Sequence, residues 1–252
     1  MKYLLKTLFF ISLLAFSSCK KYTNKYNYKY ASIEIDTIHK KDSLFESFIA
    51  PFREKIEKDL YTPYAYSIKN YNKKDGELNT AIGNMMADAV YELSNPIFKS
   101  LTGETIDMVL LNYGGIRSSI SIGNINKKTA YNLMPFENDI VVTKLSGKDI
   151  FLMINYLTNA KLAHPISNAQ IILNNNYELI SAKVNNKLIK NTDYYNVATS
   201  NFLLNGGDKM DFFSNSIKST KLNYKIRDLL IDYFISIDTL NLTNDKRFFI
   251  KR

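Results

Sequence analysis

The sequence predicts an α+β fold, because helical and strand patterns mix along the chain without strict alternation. Residues 77–94 repeat apolar side chains at the 3.6-residue spacing of a helix. Residues 107–112 contain a short apolar run and lead into the turn Tyr113-Gly114-Gly115, which is typical of a buried strand. Hydrophobic residues make up 46% of the 252 residues, enough for a packed core of layered sheets and helices.

The N-terminus has the composition of a secretory signal peptide over residues 1–18. Two lysines precede a short apolar run, and two serines precede Cys19. The apolar run is too short for a comfortable membrane span. Cys19 is the only cysteine, so an intramolecular disulfide is impossible. Its position resembles a bacterial lipoprotein signal, in which this cysteine is lipidated. The alternative is an ordinary signal peptide with an incidental cysteine.

Residues 20–30 are rich in Lys, Tyr and Asn and contain no aliphatic side chain, as expected of a solvated tether. We therefore predict a signal peptide at 1–18, a lipidated cysteine and tether at 19–42, and one domain at 43–252. This organisation predicts an extracytoplasmic protein that is anchored to the membrane by lipid.

The chain is basic, with a formal charge of +9. Without the two lysines of the signal, 31 basic residues face 24 acidic ones, which leaves +7. This surplus is compatible with anionic ligands, nucleic acid or acidic lipid, and equally with a lysine-rich surface. Only five of the basic residues are arginines, so an arginine at a special place suggests recognition of phosphate or carboxylate.

Three elements are predicted in the first half of the domain. Apolar spacing near 3.6 predicts a helix over 43–60 despite Pro51, with Ser43 as a possible N-cap. The strongest helix is 77–94, and its apolar stripe comprises Ile82, Met85, Met86, Ala89, Val90 and Leu93. The strand 107–112 then leads into a turn at Tyr113-Gly114-Gly115.

The second half follows the same rules. Residues 139–147 are predicted to form a strand and 148–160 a helix, while two further strands, 171–174 and 178–189, are predicted around an Asn-Asn turn. Residues 194–204 are predicted to form a strand that ends at Gly206-Gly207, and 225–236 an amphipathic helix.

No catalytic or metal-binding residue can be assigned. The two histidines, His39 and His164, belong to no HxH, DxH or HExxH pattern, whereas a two-metal hydrolase needs several His and Asp ligands. There is no GxSxG, P-loop or GxGxxG motif either.

Residues 110–125 place Asn112, two glycines and Arg117 at the end of a strand. Backbone N–H groups and a guanidinium that converge in this way suit an anion. A turn whose arginine makes a surface ion pair explains the pattern equally well.

Two aromatic residues also lie next to turn-forming residues. Phe136 follows Pro135, which stiffens the chain, so its ring is either core or a platform held outward. Phe202 and Asp208 flank the double glycine in NFLLNGGDKMDFF, residues 201–213. They are either a strand end and a loop or two walls of a ligand site.

Three blocks of sequence resemble the C-terminal domain of the 5'-nucleotidase/UDP-sugar hydrolase family. They are GNMMADAV at 83–90, the segment 107–150 with NYGGIR and LMPFEND, and YYNVATSNFLLNGGDKM at 194–210. Their order and spacing agree with the family, and the match covers most of residues 75–215. Each block alone is a weak signal, but the combination is specific.

The resemblance implies a domain that binds the nucleoside part of a nucleotide. The two phenylalanines that sandwich the base in the family fall on Phe136 and Phe202. The implied ligand-binding residues are Asn112, Gly114, Arg117, Phe136, Asn138, Phe202, Gly207 and Asp208. Asp208 would accept hydrogen bonds from sugar hydroxyls, and Arg117 would meet the phosphate.

The sequence also departs from the family. Tyr113 stands where the family's turn has a glycine, and residues 75–90 contain no arginine, so phosphate contact is expected to be weaker. In the family, hydrolysis belongs to an N-terminal metallophosphatase domain, which does not fit into the residues before Glu77. We expect no metal or other cofactor on this chain, only on a partner.

The resulting hypothesis is a nucleotide-recognition domain that completes a split 5'-nucleotidase with a separately encoded metallophosphatase. The alternative is a nucleotide-binding surface lipoprotein with no hydrolase partner. The resemblance implies a nucleotide or nucleoside ligand and no nucleic-acid partner.

Overall fold

The computed structural model describes residues 26, 28–34 and 40–252. The described residues contain six α-helices and twelve strands, so the predicted mixture of helix and strand is confirmed. The helices are α1 Ser43–Tyr61, α2 Ala81–Thr102, α3 Lys127–Leu133, α4 Gly147–Ala160, α5 Asn201–Leu204 and α6 Ile226–Ile235. The strands are β1 Pro63–Ser67, β2 Met108–Leu110, β3 Gly123–Asn126, β4 Asp139–Ser146, β5 Ile166–Ser167, β6 Ala169–Leu173, β7 Leu179–Val184, β8 Lys187–Leu188, β9 Tyr194–Ser200, β10 Lys218–Lys225, β11 Thr239–Leu240 and β12 Phe248–Ile250.

The chain divides into two units, Met1–Phe48 and Ile49–Arg252. In the first, residues 28–34 form neither helix nor strand and are exposed. The predicted signal peptide and Cys19 lie outside the described residues. At the start of α1, the Asp42 carboxylate accepts hydrogen bonds from the backbone of Leu44 and Phe45, at 2.9 and 3.1 Å. Asp42 therefore caps this helix, and the prediction of Ser43 as its N-cap is wrong.

The second unit is built around a five-stranded sheet with the order β10-β4-β9-β2-β5. β4 runs antiparallel to β9, and β2 runs parallel to β9. A four-stranded sheet, β12-β6-β7-β8, and a three-stranded sheet, β11-β1-β3, complete the unit. None of the helices in the described part of the chain combines the length and the apolar character that crossing a membrane requires.

Both faces of the five-stranded sheet are covered by hydrophobic cores. Alternate residues of a strand point to opposite sides, so each strand contributes to both cores. Val109 of β2 belongs to one hydrophobic core with α2 and α6. Its neighbours Met108 and Leu110 belong to a second core with α4 and the four-stranded sheet. The sheet is therefore the middle layer of the unit.

Helix α2 differs from its prediction at both ends. It begins at Ala81, because the Thr80 hydroxyl accepts the backbone N–H of Gly83. It continues through Pro96 to Thr102 and ends at Gly103, whose φ of 77° is left-handed. Phe98, beyond the proline, is 3% exposed, so tertiary packing extends the helix past a residue that usually ends one.

The C-terminal segment is fastened to α2 through Arg247. Its guanidinium donates hydrogen bonds to both carboxylate oxygens of Asp88 in α2, at 2.8 and 2.9 Å. It also donates to both carboxylate oxygens of Asp245, at 2.8 and 2.6 Å, and to the Ile166 carbonyl at 2.8 Å. β12 follows directly and pairs with β6.

Candidate functional site

Three loops meet at one end of the five-stranded sheet. β9 ends at Ser200, which pairs with Ile140 near the start of antiparallel β4. β2 is parallel to β9, so its C-terminal end lies at the same edge of the sheet. The segments after β2, before β4 and after β9 therefore emerge together, although the sequence separates them widely.

A cavity of about 250 Å³ lies between these loops. It is lined by Asn112, Gly114, Gly115, Arg117, Phe136, Asn138, Phe202 and Asp208. Seven of the eight residues predicted to bind ligand line it, and Gly115 is an addition. The eighth, Gly207, lies next to the ring of Phe202. The volume is close to the lower end of small-molecule pockets, which begin at about 300 Å³.

The two phenylalanine rings of the cavity are not part of the core. Phe136 is 38% exposed and Phe202 is 44% exposed. Phe202 lies on the four-residue helix α5, and Ser200 caps this helix by accepting the Leu203 N–H. The prediction of a continuous strand over 194–204 is therefore wrong beyond Ser200, because this cap ends the strand and starts a helical turn.

Gly207 fixes where the Phe202 ring can lie. A Cβ atom at Gly207 would come within 2.4 Å of the ring, so only glycine permits this contact. Gly206 has a different role, because its φ of 87° is left-handed and it has no heavy atom near its missing Cβ. The first glycine turns the chain and the second accommodates the ring.

Asp208 and Asn112 form the polar wall of the cavity. The Asn112 side-chain amide donates a 2.6 Å hydrogen bond to Asp208 Oδ2. Asp208 itself has a left-handed φ of 54°, which is uncommon for a residue with a side chain. Asn112 Oδ1 would be 2.8 Å from a Cβ at Gly115, so the second glycine of this turn leaves room for the amide.

Tyr156 and His164 connect the loops from behind, and the sequence patterns did not reveal them. Tyr156 donates its hydroxyl hydrogen to the Asp208 backbone carbonyl at 2.8 Å. His164 Nδ1 accepts the backbone N–H of Tyr113 at 3.2 Å, and its ring meets the edge of Tyr156. Burial lowers the pKa of His164 to about 4, despite the opposing effects of the Leu111 carbonyl and Asp208. The imidazole is therefore neutral at physiological pH.

Arg117 places a positive charge at the cavity rim. Its side chain is exposed, and its guanidinium carbon lies 5.7 Å from the centre of the Phe136 ring. Among the described residues, it forms no ion pair with a carboxylate. The nearby Glu137 pairs instead with Lys225 and Arg227. The alternative interpretation of this turn, in which Arg117 makes a surface ion pair, therefore finds no such pair among the described residues.

Asn138 is held where the chain enters β4. Its carbonyl accepts the Ile226 N–H at 3.0 Å. The next backbone N–H, of Asp139, donates to the Asn201 side chain at 3.1 Å. Asn201 therefore links helix α5, which carries Phe202, to the loop before β4, which carries Phe136.

The arrangement suits one kind of ligand. Two partly exposed rings offer flat apolar surfaces. A carboxylate and an amide offer hydrogen-bond partners for hydroxyl groups, and a guanidinium offers paired donors to an anion. Within the described residues, no three His, Cys, Asp or Glu side chains are grouped so that they could hold a metal ion.

Comparisons with known proteins agree with this architecture. The model of the 5'-nucleotidase, C-terminal domain family matches residues 62–215. The chain is 26% identical over 178 residues to the apyrase of Tabanus yao, covering 60% of this chain and 31% of the apyrase. It is 30% identical over 206 residues to the trifunctional nucleotide phosphoesterase protein YfkN of Bacillus subtilis, covering 76% of this chain and 13% of that protein.

A solved structure shares the fold. The 5'-nucleotidase precursor from Thermus thermophilus aligns with a TM-score of 0.68 at 18% identity, over 82% of this chain and 43% of that one. The chain thus spans less than half the length of each of these relatives. Since the family model covers more than half of its residues, the chain belongs to the 5'-nucleotidase C-terminal domain family.

Proposed function

We propose that this chain recognises a nucleotide or nucleoside in the cavity between Phe136 and Phe202. The observation that carries the proposal is the convergence of two partly exposed rings, the Asn112–Asp208 pair and the Arg117 guanidinium on one cavity. A nucleotide has the matching parts, namely a flat base, a sugar with hydroxyl groups and an anionic phosphate.

Each wall of the cavity has one role in this proposal. The base stacks between the rings, and such stacking contributes about 1–3 kcal/mol per base in nucleic-acid systems. The free acceptor sites of the Asp208 carboxylate take hydrogen bonds from sugar hydroxyls, while Asn112 orients that carboxylate. Arg117 meets the phosphate through the paired N–H donors of its planar guanidinium.

We further propose that the chain supplies recognition and that a separately encoded metallophosphatase supplies hydrolysis, so that the two form a split 5'-nucleotidase. The family match and the absence of a metal-ligand cluster among the described residues support this division. Catalytic metals would belong to the partner. Lipidation of Cys19 would hold the chain on the membrane outside the cytoplasm.

Calorimetric titration with AMP and adenosine tests the recognition step. Phe136→Ala and Phe202→Ala should weaken both ligands by about 1–3 kcal/mol, because stacking is lost. Both variants should melt close to the wild type, since each ring is already partly exposed.

Phe213→Ala is the matched control, because Phe213 is 1% exposed. It should lose about 3–5 kcal/mol of stability. The proposal fails if the wild type binds neither ligand, or if the two cavity variants unfold as readily as Phe213→Ala.

A further inference from the structure

Tyr156 and His164 hold the backbone of the cavity loops but do not line the cavity itself. Tyr156 lies on α4, and its hydroxyl donates a 2.8 Å hydrogen bond to the carbonyl of Asp208. His164 follows α4, and its Nδ1 atom accepts the N–H of Tyr113 at 3.2 Å. One short stretch of chain therefore fastens both the turn after β2 and the loop after β9.

These contacts complete a closed ring of five residues. The Asp208 carboxylate accepts the side-chain amide of Asn112 at 2.6 Å, and Asn112 is joined by its peptide bond to Tyr113. Tyr113 donates to His164, and the centre of the His164 ring lies 5.7 Å from that of Tyr156. Tyr156 then donates back to Asp208. Asp208 is thus held at its carboxylate and at its carbonyl by the same ring of contacts.

Packing fixes the positions of Tyr156 and His164. His164 is buried, and the Tyr156 ring meets the buried ring of Phe212 edge-on, with 5.8 Å between the ring centres. Burial lowers the pKa of His164 to about 4, so the imidazole is neutral and Nδ1 remains an acceptor. Both hydrogen bonds to the loops therefore come from rings that are held in one place.

Asp208 needs such support because of its backbone conformation. Its φ of 54° is left-handed, it is exposed, and it follows the two glycines Gly206 and Gly207. Hydrogen bonds weaken steeply as their angles become unfavourable, so the carboxylate must keep its direction in order to bind hydroxyl groups. Water can replace the Tyr156 hydroxyl at an exposed carbonyl, but a water molecule does not tie the loop to α4.

We propose that Tyr156 and His164 form a positioning pair, which does not touch the ligand but holds the Asp208 carboxylate in the direction that binds the sugar hydroxyls. The inference rests on the proposed function, because that function makes Asp208 the acceptor for these hydroxyls. Affinity for the sugar part of the ligand then depends on the pair, whereas stacking of the base does not.

The test is calorimetric titration of the full chain in detergent with adenosine and with 2',3'-dideoxyadenosine, which has the same base but lacks two sugar hydroxyls. Tyr156→Phe removes the hydroxyl and keeps the ring. It should weaken adenosine about tenfold, equivalent to about 1.4 kcal/mol, and dideoxyadenosine by less than about twofold. The melting temperature should stay close to that of the wild type, because Asp208 is exposed to water.

Two variants of His164 separate its role as an acceptor from its role in packing. His164→Asn keeps an oxygen acceptor near the position of Nδ1 and should retain most of the adenosine affinity. His164→Leu removes the acceptor and should weaken adenosine. Combining Tyr156→Phe with His164→Leu should weaken adenosine by less than the product of the two single effects, because both changes break the same ring of contacts.

Tyr177→Phe is the matched control for Tyr156→Phe. The Tyr177 hydroxyl donates a 2.5 Å hydrogen bond to Glu77, and neither residue lines the cavity. Its removal should keep the affinity for both ligands within about twofold of the wild type, as expected for an independent site.

Several outcomes overturn the inference. If Tyr156→Phe binds adenosine as the wild type does, or weakens both ligands equally, the pair does not act through Asp208 and the sugar. An equal effect of Tyr177→Phe would mean that the loss is not specific to this hydroxyl. If the wild type binds adenosine no more tightly than dideoxyadenosine, the inference fails while base recognition stands. If the wild type binds neither ligand, the proposed function itself fails.

Discussion

Gly206, Gly207 and Asp208 are consecutive residues with three different physical requirements. Gly206 needs a left-handed φ of 87°, and Gly207 needs the absence of a Cβ atom because the Phe202 ring occupies that space. Asp208 keeps a left-handed φ of 54° although it has a side chain. Its carbonyl and carboxylate are held by Tyr156 and Asn112 respectively, which compensates for this unfavourable backbone conformation.

Alanine substitutions should separate the two glycines. Gly207→Ala should displace the Phe202 ring and reduce adenosine affinity to about the level of Phe202→Ala, a loss of about 1–3 kcal/mol. Gly206→Ala has free space and should instead cost about 1–2 kcal/mol of stability, because its backbone is left-handed. Urea unfolding and adenosine titration of both variants provide the comparison. Equal binding losses in the two variants would contradict these separate roles.

Among single residues, the sequence predicted the cavity-lining residues that lie in or next to distinctive motifs. The glycine turns, Pro135 and the family blocks pointed to the residues that line the cavity. Tyr156 and His164 belong to no recognisable sequence motif, because their hydrogen-bond partners lie 52 and 51 positions away in the chain. Side chains that act through tertiary contacts from an ordinary helix or loop leave no local pattern.

At the scale of elements, prediction succeeded where periodicity was strong and local. The strand β4 and the helix α4 lie close to their predicted positions, whereas the strand predicted over 178–189 is divided into β7 and β8. Asn185 and Asn186 divide it because both adopt left-handed backbone conformations, with φ of 50° and 61°, and form a tight hairpin turn. Short strands such as β1, β3, β5 and β11 were missed, because their stability comes from partners distant in sequence.

The hydrogen bonds from Arg247 to Asp88 and Asp245 lead to a prediction about the pH dependence of stability. Arg247→Met should cost about 1–3 kcal/mol of stability at neutral pH, because it leaves the Asp88 and Asp245 carboxylates without their main partner. The hydrogen bond from Arg247 lowers the pKa of Asp245 below its ordinary value, so this contribution is present above about pH 4 and is lost as pH falls.

Urea unfolding at several pH values measures this effect. The stability difference between the wild type and Arg247→Met should shrink below about pH 4, where an unfolded Asp becomes protonated. Lys246→Met, which changes the adjacent exposed lysine, should show no such pH-dependent difference. A stability difference that stays constant from neutral to strongly acidic pH would mean that the ionised carboxylates of Asp88 and Asp245 do not account for the effect of Arg247.

At the scale of the whole molecule, recognition and hydrolysis should be separable. If a partner supplies hydrolysis, as proposed, the purified chain alone should not release phosphate from AMP with Mn²⁺ or Zn²⁺. Addition of a metallophosphatase from the same genome that lacks this domain should raise AMP hydrolysis. Phe202→Ala should reduce this gain. Metal-dependent turnover by the chain alone would contradict the split arrangement, and binding without any reconstitution would favour a nucleotide receptor.

The proposed lipid anchor is tested at the same scale. Cys19→Ala should prevent lipidation and move the protein from the detergent phase to the aqueous phase in a phase-separation experiment. Cys19→Ser serves as a second variant with nearly the same side-chain volume. Retention of both variants in the detergent phase would mean that the lipoprotein interpretation of the N-terminus is wrong.

The β4–β9 pairing described above also determines how long the cavity persists. Phe136 and Phe202 both lie just beyond the Ile140–Ser200 end of that ladder, so fraying of this end separates the two aromatic walls. A molecule held between the rings must resist that fraying. Amide hydrogens near Ile140 would then exchange with solvent more slowly when the cavity is filled, whereas those near Leu145, at the opposite end of the ladder, would be affected less.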